Sequence, residues 1–245
     1  MQRSVPRLSR VLACAAVPVM LVAVGCSSGS DSGDKGSGSG APDTASSASA
    51  APKPTQSTKA VEPARFAKLP VICKAISTKT VEGLVPKVKN KNGTEATSSD
   101  VASRGGCSWN GLDDKGTKGS QYRWLDVSFY RYESDATLGS GQERAVESYA
   151  KELAKVQATE GAKKLRTVKA PGVGEQADTV TYQVRKTDED FQYASVVARS
   201  GNVVVLLSYN GAGYAGADTP SEKTIADGAL KAVKEAVAAV EAANK

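Results

Sequence analysis

The chain has 245 residues, and histidine is absent from it. That excludes Ser/His/Asp and Cys/His catalysis of the usual kind, and any His-ligated metal centre. The net charge of +6 is unevenly placed: three of the 32 basic residues fall in the first 25, leaving 29 against 26 acidic residues, a near-neutral balance that argues against nucleic-acid binding.

Arg3, Arg7 and Arg10 precede an apolar stretch at 11–24, broken once by Pro18. Spanning a bilayer takes about 20 apolar residues, so this stretch is too short. A basic head before a short apolar run is the pattern of a signal peptide, here residues 1–25. No Arg-Arg pair is present, which favours the general secretion route. The stretch ends Val22-Ala23-Val24-Gly25-Cys26, which resembles a bacterial lipobox. That resemblance implies a diacylglyceryl thioether on Cys26, palmitate-type acyl chains, and cleavage that leaves Cys26 first. Each buried methylene of such chains contributes about 0.8 kcal/mol to anchoring. The alternative is an ordinary secreted protein in which Cys26 is a spare thiol.

Residues 27–60 are mostly Ser, Gly, Ala, Thr and Pro, with three Asp balanced by three Lys and no aromatic or large aliphatic side chain. Such a segment cannot bury enough surface to offset its chain entropy, so 26–60 reads as a lipidated Cys and a flexible tether. Its root-mean-square span is about 30–35 Å. From residue 61 the composition changes, and 61–245 is long enough for one domain with its own core.

Within that domain, Ser77 to Val85 reads as a short helix stopped by Pro86, and 87–104 as a polar loop. A strand-like piece covers 106–109, followed by a Gly/Asp-rich hairpin loop at 111–120. Residues 122–132 alternate cleanly: Leu125, Val127 and Phe129 take one face. Tyr122, Trp124, Tyr130 and Tyr132 take the other, with Asp126 and Ser128 between them. Ser140-Gly141-Gln142-Glu143 is a capping box opening a helix at 141–159, with Val146, Tyr149, Ala150, Leu153 and Val156 on its apolar face. Strands are expected at 177–185, 191–199 and 202–209, with a tight turn at Ser200-Gly201-Asn202. Val203 to Leu207 are apolar on both faces, which predicts a central strand. A second capping box, Thr219-Pro220-Ser221-Glu222, opens a helix at 220–243 with a stripe of Ile225, Ala229, Leu230, Val233, Val237 and Val240. Strands grouped with helices packed on one side of them predict an α+β fold: a single domain with an antiparallel sheet.

Of the four cysteines, Cys14 lies in the signal and Cys26 at the lipobox. Cys73 and Cys107 remain in an exported domain, which predicts a disulfide between them. The segment Pro70-Val71-Ile72-Cys73-Lys74-Ala75-Ile76, then a short helix, then Cys107-Ser108-Trp109, resembles an actinobacterial lipoprotein family, domain of unknown function 3558. Residues Ala170-Pro171-Gly172-Val173-Gly174-Glu175-Gln176-Ala177 resemble that family's Gly-rich turn leading into the sheet. The resemblance spans about 65–240 and implies an envelope lipoprotein, with no activity attached.

Gly172-x-Gly174 lacks the third glycine and the Lys-Ser/Thr pair of a phosphate loop, so it reads as a turn. Asp188, Glu189 and Asp190 lack Ca²⁺-loop spacing and read as a solvated hairpin tip. Two basic clusters, Lys87/Lys89/Lys91 and Lys163/Lys164/Arg166/Lys169, read as solvated faces, with anionic headgroups or wall polymers as the alternative. The residues 210–216, Asn-Gly-Ala-Gly-Tyr-Ala-Gly, read as a flexible connector, the alternative being that they flank an aromatic ligand groove. Tyr122, Trp124, Tyr130 and Tyr132 are the candidate ligand-binding residues, the alternative being that helices cover them.

The expected protein is therefore non-catalytic and lipid-anchored on the outer face of the cell membrane, needing no metal or other cofactor. It would bind an envelope partner or ligand; the alternative is a carrier of a lipid or other small hydrophobic molecule. An enzyme using paired carboxylates would need two of them about 5–9 Å apart in a cleft, and no such pair stands out.

Overall fold

Seven antiparallel strands and three α-helices make up the fold in this computed structural model, which describes residues 60–245. The expected signal, Cys26 and all but the last residue of the expected tether lie outside the described residues. The strands are β1 (Thr94–Glu95), β2 (Arg104–Asp114), β3 (Ser120–Arg131), β4 (Lys163–Lys169), β5 (Gln176–Lys186), β6 (Glu189–Ser200) and β7 (Val203–Tyr214). The helices are α1 (Thr78–Leu84), α2 (Gly141–Gln157) and α3 (Glu222–Ala243). Across the sheet the order is β1-β2-β3-β7-β6-β5-β4.

The α+β antiparallel fold is as expected, and β7 is its central strand. Val203, Val205 and Leu207 face one core with α3 and α1, while Val204 faces a second core with α2. The helices thus cover both faces, not one. The reason is in the strands: β6 and β7 are apolar on both sides, and each side has to be removed from water. The larger core packs Leu125, Val127 and Phe129 of β3 against the buried stripe of α3. Burying each such side chain stabilises by about 1.5–3 kcal/mol.

Local signals place the helix starts. Ser77 accepts a hydrogen bond from Thr80 N to begin α1, and Glu235 of α3 accepts from Ser77 N at 2.8 Å. The Ser140/Glu143 capping box is formed, with both reciprocal bonds present. α3 starts later than expected: its N-cap is Ser221, which accepts from Thr224 N, not Thr219. Thr219 instead donates to Asp190 O, and Glu222 accepts from Thr181 Oγ1. On α2, Val146 and Ala150 point to solvent, and Val146 is 46% exposed. The buried positions are Gly141, Ala145, Ser148 and Tyr149; of the expected stripe, Tyr149, Leu153 and Val156 do face the core.

Two further expectations are corrected, and one strand was not expected. The hairpin loop drawn at 111–120 is shorter, 115–119, since β2 runs to Asp114 and β3 starts at Ser120. Lys163 to Lys169 are exposed at all seven positions, as a solvated face should be, and form an edge strand that was not expected. Its charges keep an open sheet edge from pairing with other chains. Most of the Gly-rich 210–216 segment is strand too, because β7 extends to Tyr214. Glycine is required there by close approach: a Cβ on Gly213 would lie 2.1 Å from Ala217 O, and one on Gly211 2.7 Å from Tyr122 O.

Two asparagines hold the N-terminal segment to the sheet. Asn202, fully buried in the β6–β7 turn, accepts from Phe66 N at 2.7 Å and donates to Phe66 O and Tyr132 O at 2.9 and 2.8 Å. Asn244, just past α3, accepts from Ala67 N and donates to Lys68 O. The expected disulfide joins Cys73 to Cys107, tying this segment to β2. The Gly172-x-Gly174 segment is a turn, as expected, and Glu175 after it accepts from Gly201 N and pairs with Arg65 and Arg199.

Candidate functional site

The even-numbered residues of β3 all face the side of the sheet that carries α2, as alternation predicts. α2 does not cover that whole side. Tyr130 and Tyr132 pack beneath it with Leu153, Val156 and Leu206, and Tyr132 Oη donates to Ser148 Oγ at 2.6 Å. Tyr122 and Trp124, at the other end of β3, are not part of that packing. The four candidate aromatics are therefore divided: two belong to a small core and two line an open concavity.

That concavity has a volume of about 600 Å³ and is lined by Tyr122, Trp124, Asp126, Lys186, Phe191, Tyr193, Ser208, Asn210 and Tyr214. Strand register builds its floor. Asp126 stands opposite Ser208, Trp124 opposite Asn210, and Asn210 opposite Tyr193 on the next strand. Tyr122, Phe191 and Tyr214 meet edge to face, with ring centroids 6.0–6.5 Å apart. Tyr193 stacks on Tyr182 at 5.0 Å, and its hydroxyl accepts from Lys186 Nζ at 2.8 Å. One end is thus an aromatic wall, and the other holds a carboxylate and a serine.

Burial on the groove floor pushes the Asp126 carboxyl up to about 6. Burial, then the neighbouring phenols of Tyr214 and Tyr193, raises Tyr122, which keeps its hydroxyl a neutral hydrogen-bonding group. On the same sheet face, beneath α2, Asp178 accepts from Tyr149 Oη and pairs with Lys169 Nζ at 3.0 Å. Burial first, then the Asp178 contact, raises the Tyr149 phenol.

Phe191 and Tyr193 were not among the candidates, whereas Asn210 and Tyr214 lie in the 210–216 segment whose alternative reading was that it flanks such a groove. The alternation of Phe191 and Tyr193 in the expected 191–199 strand was a usable signal. For Tyr214 and Asn210 the glycines around them favoured a connector over the groove-flanking alternative. The remaining sequence candidates do not join this site. Thr187 and Asp188 both have positive φ, 47° and 63°, and form a two-residue hairpin turn. Lys91 pairs with Glu82 on α1. No helix among the described residues is long and apolar enough to cross a membrane.

No protein-family model matches the chain, so the resemblance to domain of unknown function 3558 rests on the motifs quoted above. No curated protein matches either. Among solved structures, the chain is similar to LpqN of Mycobacterium tuberculosis, described as involved in cell envelope biogenesis. Identity is 16%, over 58% of this chain and 82% of that one, with a TM-score of 0.30. A Bacteroides thetaiotaomicron VPI-5482 protein is 11% identical over 58% of this chain and 47% of its own, with a TM-score of 0.26. Neither likeness is close enough to carry an argument about function.

Proposed function

We propose that the chain is a lipid-anchored extracytoplasmic binding module, non-catalytic, whose small-molecule ligand lies in the groove between Trp124 and Tyr193. The observation that carries this reading is the half of one sheet face that α2 leaves bare. There, five aromatic side chains, Asp126 and Asn210 converge on one concavity of about 600 Å³. Concave, mostly apolar sites with a few convergent polar groups are where small ligands bind. The basic head, the apolar run and the lipobox-like sequence at Cys26 support the anchor, and the Cys73–Cys107 bond fits an oxidising compartment. An amphipathic ligand suits the groove better than a wholly apolar one, which would strip water from Asp126 and Lys186 without replacing it.

The test is native mass spectrometry of the protein purified from its own envelope, beside a denatured measurement. A mass excess that is lost on denaturation, and absent from a Trp124→Ala/Tyr193→Ala variant, is the expected result. A bare native mass, unchanged by envelope extract, refutes the small-ligand reading. Labelled palmitate incorporated by the wild type and not by Cys26→Ser tests the anchor.

A further inference from the structure

The groove's chemistry selects a ligand class. We propose that it takes a small amphipathic organic cation, with its apolar body against Tyr122, Phe191 and Tyr214 and its ammonium between Asp126 and Trp124. This deepens the reading of the groove as a ligand site and rests on it.

Asp126 is the carboxylate among the lining residues, and no hydrogen bond or ion pair among the described residues reaches it. Its cross-strand neighbours are Ser108 on β2 and Ser208 on β7, both neutral. Ser128 and Trp124 flank it on its own strand face. From β5, Tyr182 feels its charge, and Lys186 at the end of the same strand is engaged with the Tyr193 hydroxyl. Asp178 provides the contrast. That carboxylate, on the same face and 2% exposed, is answered by Tyr149 and Lys169. The fold pairs the buried Asp178 on this face and leaves the half-buried Asp126 unpaired, beside an indole ring on the floor of the aromatic groove.

An unpaired carboxylate that has lost part of its water is unfavourable, and a cation is the partner that relieves it. Aromatic rings add to this, because their negative faces attract an ammonium, Trp most strongly. An anion is repelled by Asp126. A neutral sugar could supply hydroxyl donors, but it would leave the charge itself unanswered. The raised Asp126 carboxyl adds a pH signature: the site loses its counter-charge as pH falls through about 6.

The experiment titrates the purified full chain with choline, with its neutral isostere 3,3-dimethylbutan-1-ol, with benzyltrimethylammonium and with cellobiose. The readout is the Trp124 indole NMR resonance, assigned by Trp124→Phe. Expected are choline binding at least about tenfold tighter than the isosteric alcohol, and benzyltrimethylammonium tighter still. Asp126→Asn should weaken both cations by about tenfold or more and leave the alcohol unchanged. Lowering pH from 7.5 to 5 should weaken cation binding by up to about tenfold in the wild type and not in the variant. Equal binding of choline and the alcohol, or an Asp126→Asn variant that keeps its preference for cations, overturns the inference. If cellobiose moves the Trp124 resonance and the cations do not, the ligand class is wrong and the groove remains a ligand site. If no probe moves it and native mass spectra stay bare, both readings fall. Circular dichroism of Asp126→Asn guards against misfolding.

Discussion

Replacing Asp126 with Asn should stabilise the protein in the absence of ligand, and only above about pH 4. In the folded state burial raises the carboxyl to about 6, against an ordinary value near 3.8 in the unfolded chain. Below 3.8 both states carry the proton, and the group costs nothing. Between 3.8 and 6 the unfolded chain releases its proton while the folded protein keeps it, so stability falls as pH rises. Above 6 the cost is complete. At about 1.4 kcal/mol for each tenfold difference in proton affinity, it amounts to at most about 3 kcal/mol. Asparagine is nearly isosteric and uncharged, so it removes this cost. Urea denaturation of wild type and variant at pH 4.0, 5.5 and 7.5 measures it. The variant should exceed the wild type by about 2–3 kcal/mol at pH 7.5 and by no more than about 0.5 kcal/mol at pH 4.0. A difference that does not change with pH refutes the argument, because it would mean that the Asp126 charge is already answered or well hydrated. A gain in stability on losing a groove residue is the trade expected where a site is kept for binding.

Three other outcomes test the framework around the groove. The Cys73→Ser/Cys107→Ser variant should lose about 3–4 kcal/mol, from the entropy of a loop closed across 34 positions, measured by urea midpoint under non-reducing conditions. Asn202→Ala removes two buried hydrogen bonds and one half-buried one and should cost about 2–4 kcal/mol, with early hydrogen exchange at the Phe66 amide showing that the N-terminal segment has come loose. Gly213→Ala places a methyl group 2.1 Å from Ala217 O and should cost at least about 2 kcal/mol, and the Tyr214 ring resonances should shift with it as the end of β7 moves.

How much of this protein was legible in its sequence can be followed residue by residue. Alternation from 122 to 132 gave β3 and sorted its side chains correctly onto two faces, because the period of two is a local property of extended backbone. Ser140 and Glu143 gave the start of α2 for an equally local reason, since a cap bonds only to its own first turn. The count and compartment of the cysteines gave the Cys73–Cys107 bond. The start of α3 was misplaced because Thr219 and Ser221 both fit a cap, and the contacts of Thr219 with Asp190 and of Glu222 with Thr181 separate them. The glycines of β7 read as a loop because the reason for glycine there is the backbone of residue 217, which the sequence does not bring near. By itself the sequence determined most of the elements, the two faces of β3 and the single antiparallel domain, but not the strands at 94–95 and 163–169. Only the tertiary structure decided that β7 lies between β3 and β6 and that α2 covers Tyr130 and Tyr132 but leaves Tyr122 and Trp124 bare. It also decided that Asp126 faces Ser108 and Ser208 with no cation. Periodicity states which way a side chain points, whereas what it meets depends on register between strands far apart in the chain, and that is fixed by the packing of the whole sheet.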